Sequence, residues 1–582
     1  MFKGTAASQG IVIGPAFVLN KKISNIQKEQ IPASMVAEEI ERLKKAVEKT
    51  KMEILSIKEK IIYDIGNNEA DIFNAYLLLL EDPMFAGKTE EIIESQMVNA
   101  EYALTMVLKD YSDFFNRISD SYLKERSRDI AGLVEKVVNN LSEKASDEQE
   151  KPDDKYIVVA MDLTPADTAE MDKNRILGFI TEMGGATSHT AIVARSLEIP
   201  AVVGIRDITR NVKTGDLLVV DGEKGIVISN PNQKILAAYK EEQKKYFSKI
   251  KTLKRLKKLE PITLDKHTVT LSANIEFPEE VGVVKENNTD GIGLFRTEFI
   301  YMNRMNLPNE EEQFNMYKSV VEKMNPKPVT IRTLDIGGDK FLPYFKLPPE
   351  QNPFLGLRSI RLSLSNINIF KLQLRAILRA SAFGTVKIMF PMISVAGEID
   401  DAKKILDEVK DELRHKKIAF DNNIKTGIMI EVPSAALMSE EFAKKVEFFS
   451  LGTNDLIQYT MAVDRGNQSV SHLYDGLNPA VLRLIKMTVD NGHKNKIPVS
   501  VCGEMAGEPY ISVLLMGMGV DELSTNAATT LTIKKIIRNI KFQDSIEIAD
   551  KAIRMTKPAE IKAFLTSKIN ELLLGSEKEE KE

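Results

Sequence analysis

The chain has 582 residues, 43% hydrophobic and 28% charged, a globular balance with material for several cores and, by length, about four domains. A net charge of −5 leaves no basic excess to displace counterions, which argues against a general nucleic-acid binder. The single cysteine, Cys502, excludes an intrachain disulfide or a cysteine zinc cluster and suits a reducing cytoplasm, and no apolar run of about 18 residues is present to span a membrane.

The first apolar run, IVIGPAFVL at 11–19, reads as strand–turn–strand broken at Gly14-Pro15. NKKISN follows it without a small-residue cleavage site, which speaks against a signal core. Helical period begins at once: Val36, Ile40, Leu43, Val47, Ile54, Ile57 and Ile61 alternate steps of four and three, with one beat missed at Thr50 and Ser34 as the expected N-cap. Helical patterns continue through EADIFNAYLLLLED (69–82) and AEYALTMVLKDYSDFFNRI (100–118) to about Leu141, and the polar stretch SEKASDEQEKPDDK (142–155) closes them. Strand runs return at YIVVA (156–160), ILGFIT (176–181), AVVG (201–204) and LLVVDG (217–222). The pattern predicts a split α/β domain, 1–21 with 146–230, carrying a helical bundle inserted at 22–145. Residues 231–260 are Lys-rich and read as a solvated linker helix.

From 261 to 573, eight apolar runs alternate with helical ones: TVTLSAN, DGIGLF, PVTIRTL, FLGLR, TVKIMF, GIMIEV, EFFSLG and PVSVCG. This alternation predicts a (β/α)8 TIM barrel, followed by a charged tail at 574–582. In such a barrel the strand C-termini share one mouth, where active sites lie. Five motifs end there: Arg296 in GIGLFRTE, Arg332 in TIRTLDIGGDK, Glu431 in IMIEVPSA, Asp455 in LGTNDLIQ and Cys502 in SVCGEMA. Singly each has a bland reading, as an ion-paired arginine or a small core cysteine. Together they combine two guanidinium forks for phosphate or carboxylate, two carboxylates suited to Mg2+, and a thiol that keeps its proton beside an anion and can act as an acid. Elsewhere, GGATSHT at 184–190 sets His189 just ahead of the helical run AIVARSL, where backbone N–H groups can help bind a phosphate. His267, His415, His472 and His493 lack metal-binding spacing and read as structural or exposed.

These motifs carry a resemblance. The barrel resembles the phosphoenolpyruvate-binding barrel shared with pyruvate phosphate dikinase, and GGATSHTAIVARSLEIPAVVG at 184–204 resembles the phosphohistidine segment of that superfamily. The domain order is similar to that of the Enzyme I family of the bacterial phosphoenolpyruvate-dependent sugar phosphotransferase system. The resemblance implies a phosphoenolpyruvate–protein phosphotransferase with Mg2+ as cofactor, which phosphorylates His189, releases pyruvate and passes the phosphoryl group to a histidine of the small phosphocarrier protein HPr. It further implies that Arg296 and Arg332 hold the substrate phosphate, that Asn454 and Arg465 contact its phosphate or carboxylate end, and that Arg358 and Lys340 belong to the surrounding shell. Glu431 and Asp455 would carry the metal, Cys502 would protonate the enolpyruvate carbon, and Thr168 would partner the imidazole. HPr would dock on the inserted bundle through Asp71, Leu79, Asp82, Met84 and Arg126, and the barrel would form a homodimer. His189 and the mouth lie in different domains, so a swivel about 231–260 is expected. Two alternatives are a catalytically inactive protein sensing phosphoenolpyruvate or pyruvate, and a dikinase or phosphoenolpyruvate synthase relative. His189, Glu431, Asp455 and Cys502 together oppose the first, and the lack of a GxxxxGK[ST] loop opposes the second.

Overall fold

The computed structural model describes residues 1–19, 28–64, 76–77, 80, 83–116, 133–134, 136–138, 140–141, 154–163, 167, 171–172, 175–185, 189–196, 199–301, 306–337, 350–467 and 469–579. The chain divides into two compact units, Met1–Ile250 and Lys251–Glu582.

The first unit is built on an eight-stranded sheet of β1 (Phe2–Lys3), β2 (Thr5–Ser8), β3 (Ile11–Leu19), β4 (Tyr156–Ala160), β5 (Ile176–Thr181), β6 (Ala201–Val203), β7 (Leu217–Asp221) and β8 (Ile226–Ser229), in the order β1-β8-β7-β3-β4-β5-β6-β2. Strands β3 to β6 run parallel, and the flanking pairs are antiparallel. Alternation along β4 explains its all-apolar sequence: Tyr156, Val158 and Ala160 enter one core, while Ile157 and Val159 enter another, as a strand buried on both faces requires. The expected turn at Gly14-Pro15 does not form. Strand β3 is continuous and changes partner there, pairing with β7 through Pro15 and with β4 from Ala16 onward, so the proline stands where the pairing changes sides.

Between β3 and β4 lie α1 (Val36–Asp64), α2 (Pro83–Gln96) and α3 (Ala100–Asn116). Leu43, Ala46 and Ile54 of α1 are buried against Ile93, Leu104 and Val107 of the other two. Thr50, the missed beat, is fully buried on the same stripe, and its hydroxyl donates to Ala46 O at 2.8 Å and accepts from Asn140 at 3.0 Å. Ser34 is not an N-cap. It lies inside a 3-10 turn, Ala33–Met35, that precedes the α-helix, and Pro32 occupies the position ahead of it. Helix α4 (His189–Ser196) buries Ala191 and Ala194 against the sheet, among Val158, Phe179 and Val203. Helix α5 (Gln233–Arg255) runs through the boundary at 250.

The second unit is a closed barrel of eight parallel strands: β9 (Thr270–Ile275), β10 (Ile292–Arg296), β11 (Val329–Arg332), β12 (Val386–Phe390), β13 (Lys425–Ile430), β14 (Phe448–Leu451), β15 (Val499–Val501) and β16 (Glu522–Asn526). The expected barrel is present, with one strand exchanged. FLGLR is no strand: Pro353–Leu355 form a 3-10 turn with Leu355 65% exposed, and the chain then enters α6 (Ser359–Ser365). The eighth strand is ELSTN at 522–526, too polar for an apolar scan. It closes the ring between β15 and β9, and Ser524 Oγ donates to Asn274 across the seam at 2.6 Å. Inside the barrel Leu294, Met389, Met429, Phe448 and Cys502 form a separate apolar cluster.

Candidate active site

Strands β10 and β11 end in register, Arg296 beside Arg332. Arg332 is 5% exposed, and its Nη2 lies 2.6 Å from Glu298 Oε1 and 2.9 Å from Asp335 Oδ2, while Nη1 lies 3.7 Å from the Met429 sulfur. Burial opposes its charge, but Asp335, Glu298 and Glu431 outweigh that effect and hold the guanidinium above its ordinary pKa. Arg296 pairs with Glu276 at 2.7 Å. Arg358, just ahead of α6, reaches Asp335 at 3.3 Å, Asp455 at 3.5 Å and the Tyr459 hydroxyl at 3.0 Å. Asp335 thus joins both buried arginines, and it also accepts from Ser359 Oγ. Gly337 permits this approach: its φ is +114°, and a Cβ there would stand 2.4 Å from Arg358 Cβ. The Nε atoms of Arg332 and Arg358 are buried without a hydrogen-bond partner, as is Thr453 Oγ1. Buried donors in that state are equipment for an anionic ligand.

Glu431 follows β13, is 1% exposed and accepts Met392 N–H at 2.6 Å. Burial, then repulsion from Asp455 and Asp335, pushes its carboxyl up to about 8, against the pull of Arg332 and Arg358. Asp455 stands in the first turn of α7 (Thr453–Met461). These hard oxygen donors fit a divalent cation, which would hold Glu431 ionised. Among the described residues no group of three or more His, Cys, Asp or Glu side chains is arranged to hold a metal ion by itself. A divalent ion held by Glu431 and Asp455 would leave positions for water and substrate oxygens.

Cys502 follows β15, and its Sγ accepts from Ser450 Oγ at 3.2 Å. Burial pushes the thiol up to about 11, so it carries a proton at neutral pH. Asn454, beside Asp455, exchanges hydrogen bonds with Glu504, donating to Oε1 at 3.0 Å and accepting from its N–H at 3.1 Å. Arg465 is exposed and bonds Tyr474, whose hydroxyl donates to Asn454 O at 3.1 Å. The chain thus brings Arg332, Arg358, Glu431 and Asp455 into one electrostatic cluster. Glu298, Asp335 and Tyr459 join them, and Glu276 pairs with Arg296 beside them, although sequence reasoning did not name these four. Asp335 carried a signal, lying three residues after Arg332 within TLDIGGDK.

His189 opens α4 in the first unit. Its side chain, Thr168, Lys340, Asp71, Leu79, Asp82, Arg126 and the side chain of Met84 lie outside the described residues. Of the remaining histidines, His267 stacks on Phe542 at 3.6 Å and His493 bonds Asp521 at 2.9 Å.

A closed parallel barrel that presents buried guanidiniums, hard carboxylates and a protonated thiol at its strand ends defines an enzyme acting on a small anionic, phosphate-bearing acid. Three family models match: PEP-utilising enzyme, N-terminal, at residues 3–126; mobile domain at 152–225; and PEP-binding domain at 250–542. The chain is 43% identical to the phosphoenolpyruvate-protein phosphotransferase of Geobacillus stearothermophilus, over 97% of each chain. It is 42% identical to that of Staphylococcus carnosus (strain TM300), over 96% of this chain and 97% of the relative, and 43% identical to that of Bacillus subtilis (strain 168), over 97% and 98%. The chain belongs to the phosphoenolpyruvate-protein phosphotransferase family of PEP-utilising enzymes.

Proposed function

We propose that the chain transfers the phosphoryl group of phosphoenolpyruvate to His189, releases pyruvate, and passes the group to a histidine of the phosphocarrier protein HPr. The observation carrying this reading is the barrel mouth, where the spare buried donors of Arg332 and Arg358 lie in one cluster with Glu431 and Asp455. Family membership over nearly the full length supports it over the sensor and the dikinase.

Arg332 and Arg358 stay charged and offer their unpartnered Nε–H groups to the phosphate and carboxylate oxygens, with Arg296 at the neighbouring strand end. Asn454, held by Glu504, and Arg465 fix the other end of the substrate. Mg2+ on Glu431 and Asp455 would supply charge neutralisation at the transferring phosphate. Neutral imidazole of His189 attacks phosphorus in line, and enolpyruvate is the leaving group. The Cys502 proton then goes to its methylene carbon, which becomes the methyl of pyruvate.

The family resemblance supports the remaining assignments: residues 1–21 and 146–230 as the swivelling phosphohistidine domain, 22–145 as the HPr dock and 231–260 as the linker. Residues 261–573 would form the substrate-binding and dimerising barrel, with 574–582 a charged tail. A cytoplasmic location fits the lone reduced cysteine, and among the described residues no helix is long and apolar enough to cross a membrane. Incubated with Mg2+ and labelled phosphoenolpyruvate, the protein should become acid-labile, base-stable phosphoprotein, and His189→Ala should not. Failure of the native protein to label would instead favour a sensing role.

A further inference from the structure

We propose that Ser450 is a positioning residue for the proton donor: its hydroxyl holds the Cys502 sulfur so that the S–H is free to reach the enol carbon. The inference rests on the reading of Cys502 as the acid. Strand alternation puts Ser450 inside the barrel. Phe448, two residues earlier, lies in the lumen cluster with Cys502, whereas Phe449 and Leu451 join the outer core. Ser450 is fully buried, and its Cα partner on β15 is Ser500. The two neighbouring serines behave differently. Ser500 Oγ donates to Phe449 O at 3.2 Å, a main-chain bond, while Ser450 Oγ donates to the thiol sulfur at 3.2 Å.

Leu294, Met389, Met429 and Phe448 cluster with Cys502 there, and the charges that act on the thiol are those of Arg332, Glu431 and Arg296. A hydroxyl buried there needs a partner, and the sulfur is the partner it has. The thiol's own contact as a donor runs 3.7 Å to Leu451 O, and S–H is a weak donor, so its proton turns readily toward a ligand. The sulfur is therefore fixed by one bond while its proton is left available.

Once the phosphoryl group has left, the enolate's C=C pair forms a new C–H bond with the thiol proton, and C2–O becomes a carbonyl. The S–H pair stays on sulfur, and the O–H···S contact becomes charge-assisted at the moment a thiolate appears. Water returns the proton after pyruvate leaves.

The reverse of this step is directly measurable on the full chain with Mg2+, as exchange of pyruvate methyl protons in deuterium oxide, separately from the KM for phosphoenolpyruvate. Ser450→Ala should slow exchange about tenfold or more with KM within about twofold. Ser450→Thr, which returns a hydroxyl, should recover most of the rate, and Ser500→Ala should match the native protein. Equal losses in Ser450→Ala and Ser500→Ala, or no loss in Ser450→Ala, would overturn the proposal in favour of lumen packing; so would failure of a folded Ser450→Thr to recover. Cys502→Ala separates the two readings. If it retains exchange, the assignment of the acid fails; if it loses exchange while Ser450→Ala does not, only the role of Ser450 fails.

Discussion

At the scale of single residues, the site's chemistry follows from charges that cannot relax into water. Arg358 is 3% exposed and serves both Asp335 and Asp455. Truncation to alanine would remove the ion pair of half-buried Asp455 and leave buried Asp335 with Arg332 as its remaining cation, so Arg358→Ala should destabilise the barrel by about 3 kcal/mol, read as a lowered urea midpoint of the barrel transition. Arg358→Lys keeps the charge but loses the fork, and should raise KM for phosphoenolpyruvate more than it lowers stability. Glu431 supplies a pH signature. Its folded pKa lies above its unfolded value, so its stabilising contribution is present below about pH 4.5 and is lost as pH rises through about 8. A cation needs the ionised form and displaces that proton. The rise in melting temperature given by a fixed Mg2+ concentration should therefore grow from about pH 6 to about pH 8. Glu431→Gln should flatten that dependence, and a Mg2+ shift independent of pH in the native protein would contradict the assignment.

Elements explain which parts of this were legible in advance. The strands YIVVA and ILGFIT fall where the apolar runs lie, because strands buried on both faces leave no polar beat to misplace. ELSTN escaped and FLGLR misled for one reason: a barrel seam tolerates small polar side chains that bond one another inside, while an exposed turn tolerates Leu355. Arg332, Glu431 and Cys502 could be named because strand ends converge on one mouth. Ser450 could not, since its partner lies 52 residues away and neither periodicity nor motif records the contact. Gly503 shows the same limit. A Cβ there would stand 1.9 Å from Thr453 Oγ1 and 2.8 Å from Thr453 N, so the glycine lets the end of β15 meet the helix that carries Asn454 and Asp455. Gly503→Ala should shift α7, cost about 1–3 kcal/mol and reduce turnover well beyond that stability loss, as kcat measured on protein still folded at the assay temperature.

At the scale of the whole molecule, the proposed phosphoryl acceptor and the candidate donor site belong to different compact units, His189 within Met1–Ile250 and the barrel mouth within Lys251–Glu582. In-line transfer requires reacting atoms about 3–3.5 Å apart, and delivery to a second protein requires that same imidazole to be accessible. One fixed arrangement does not easily satisfy both demands, so a change of pose between the units is expected, with α5 the element that runs across their boundary. The test is convenient because the chain's lone cysteine is buried, 2% exposed, so engineered surface cysteines can be cross-linked selectively. Held in any one pose, the protein should perform at most one half-reaction: labelling by phosphoenolpyruvate, or discharge of phosphoprotein to HPr. Reduction of a cleavable cross-link should restore the other. A locked protein that carried out both at undiminished rates would show that no swivel is needed, and would require the two sites to meet in a single arrangement open to the partner.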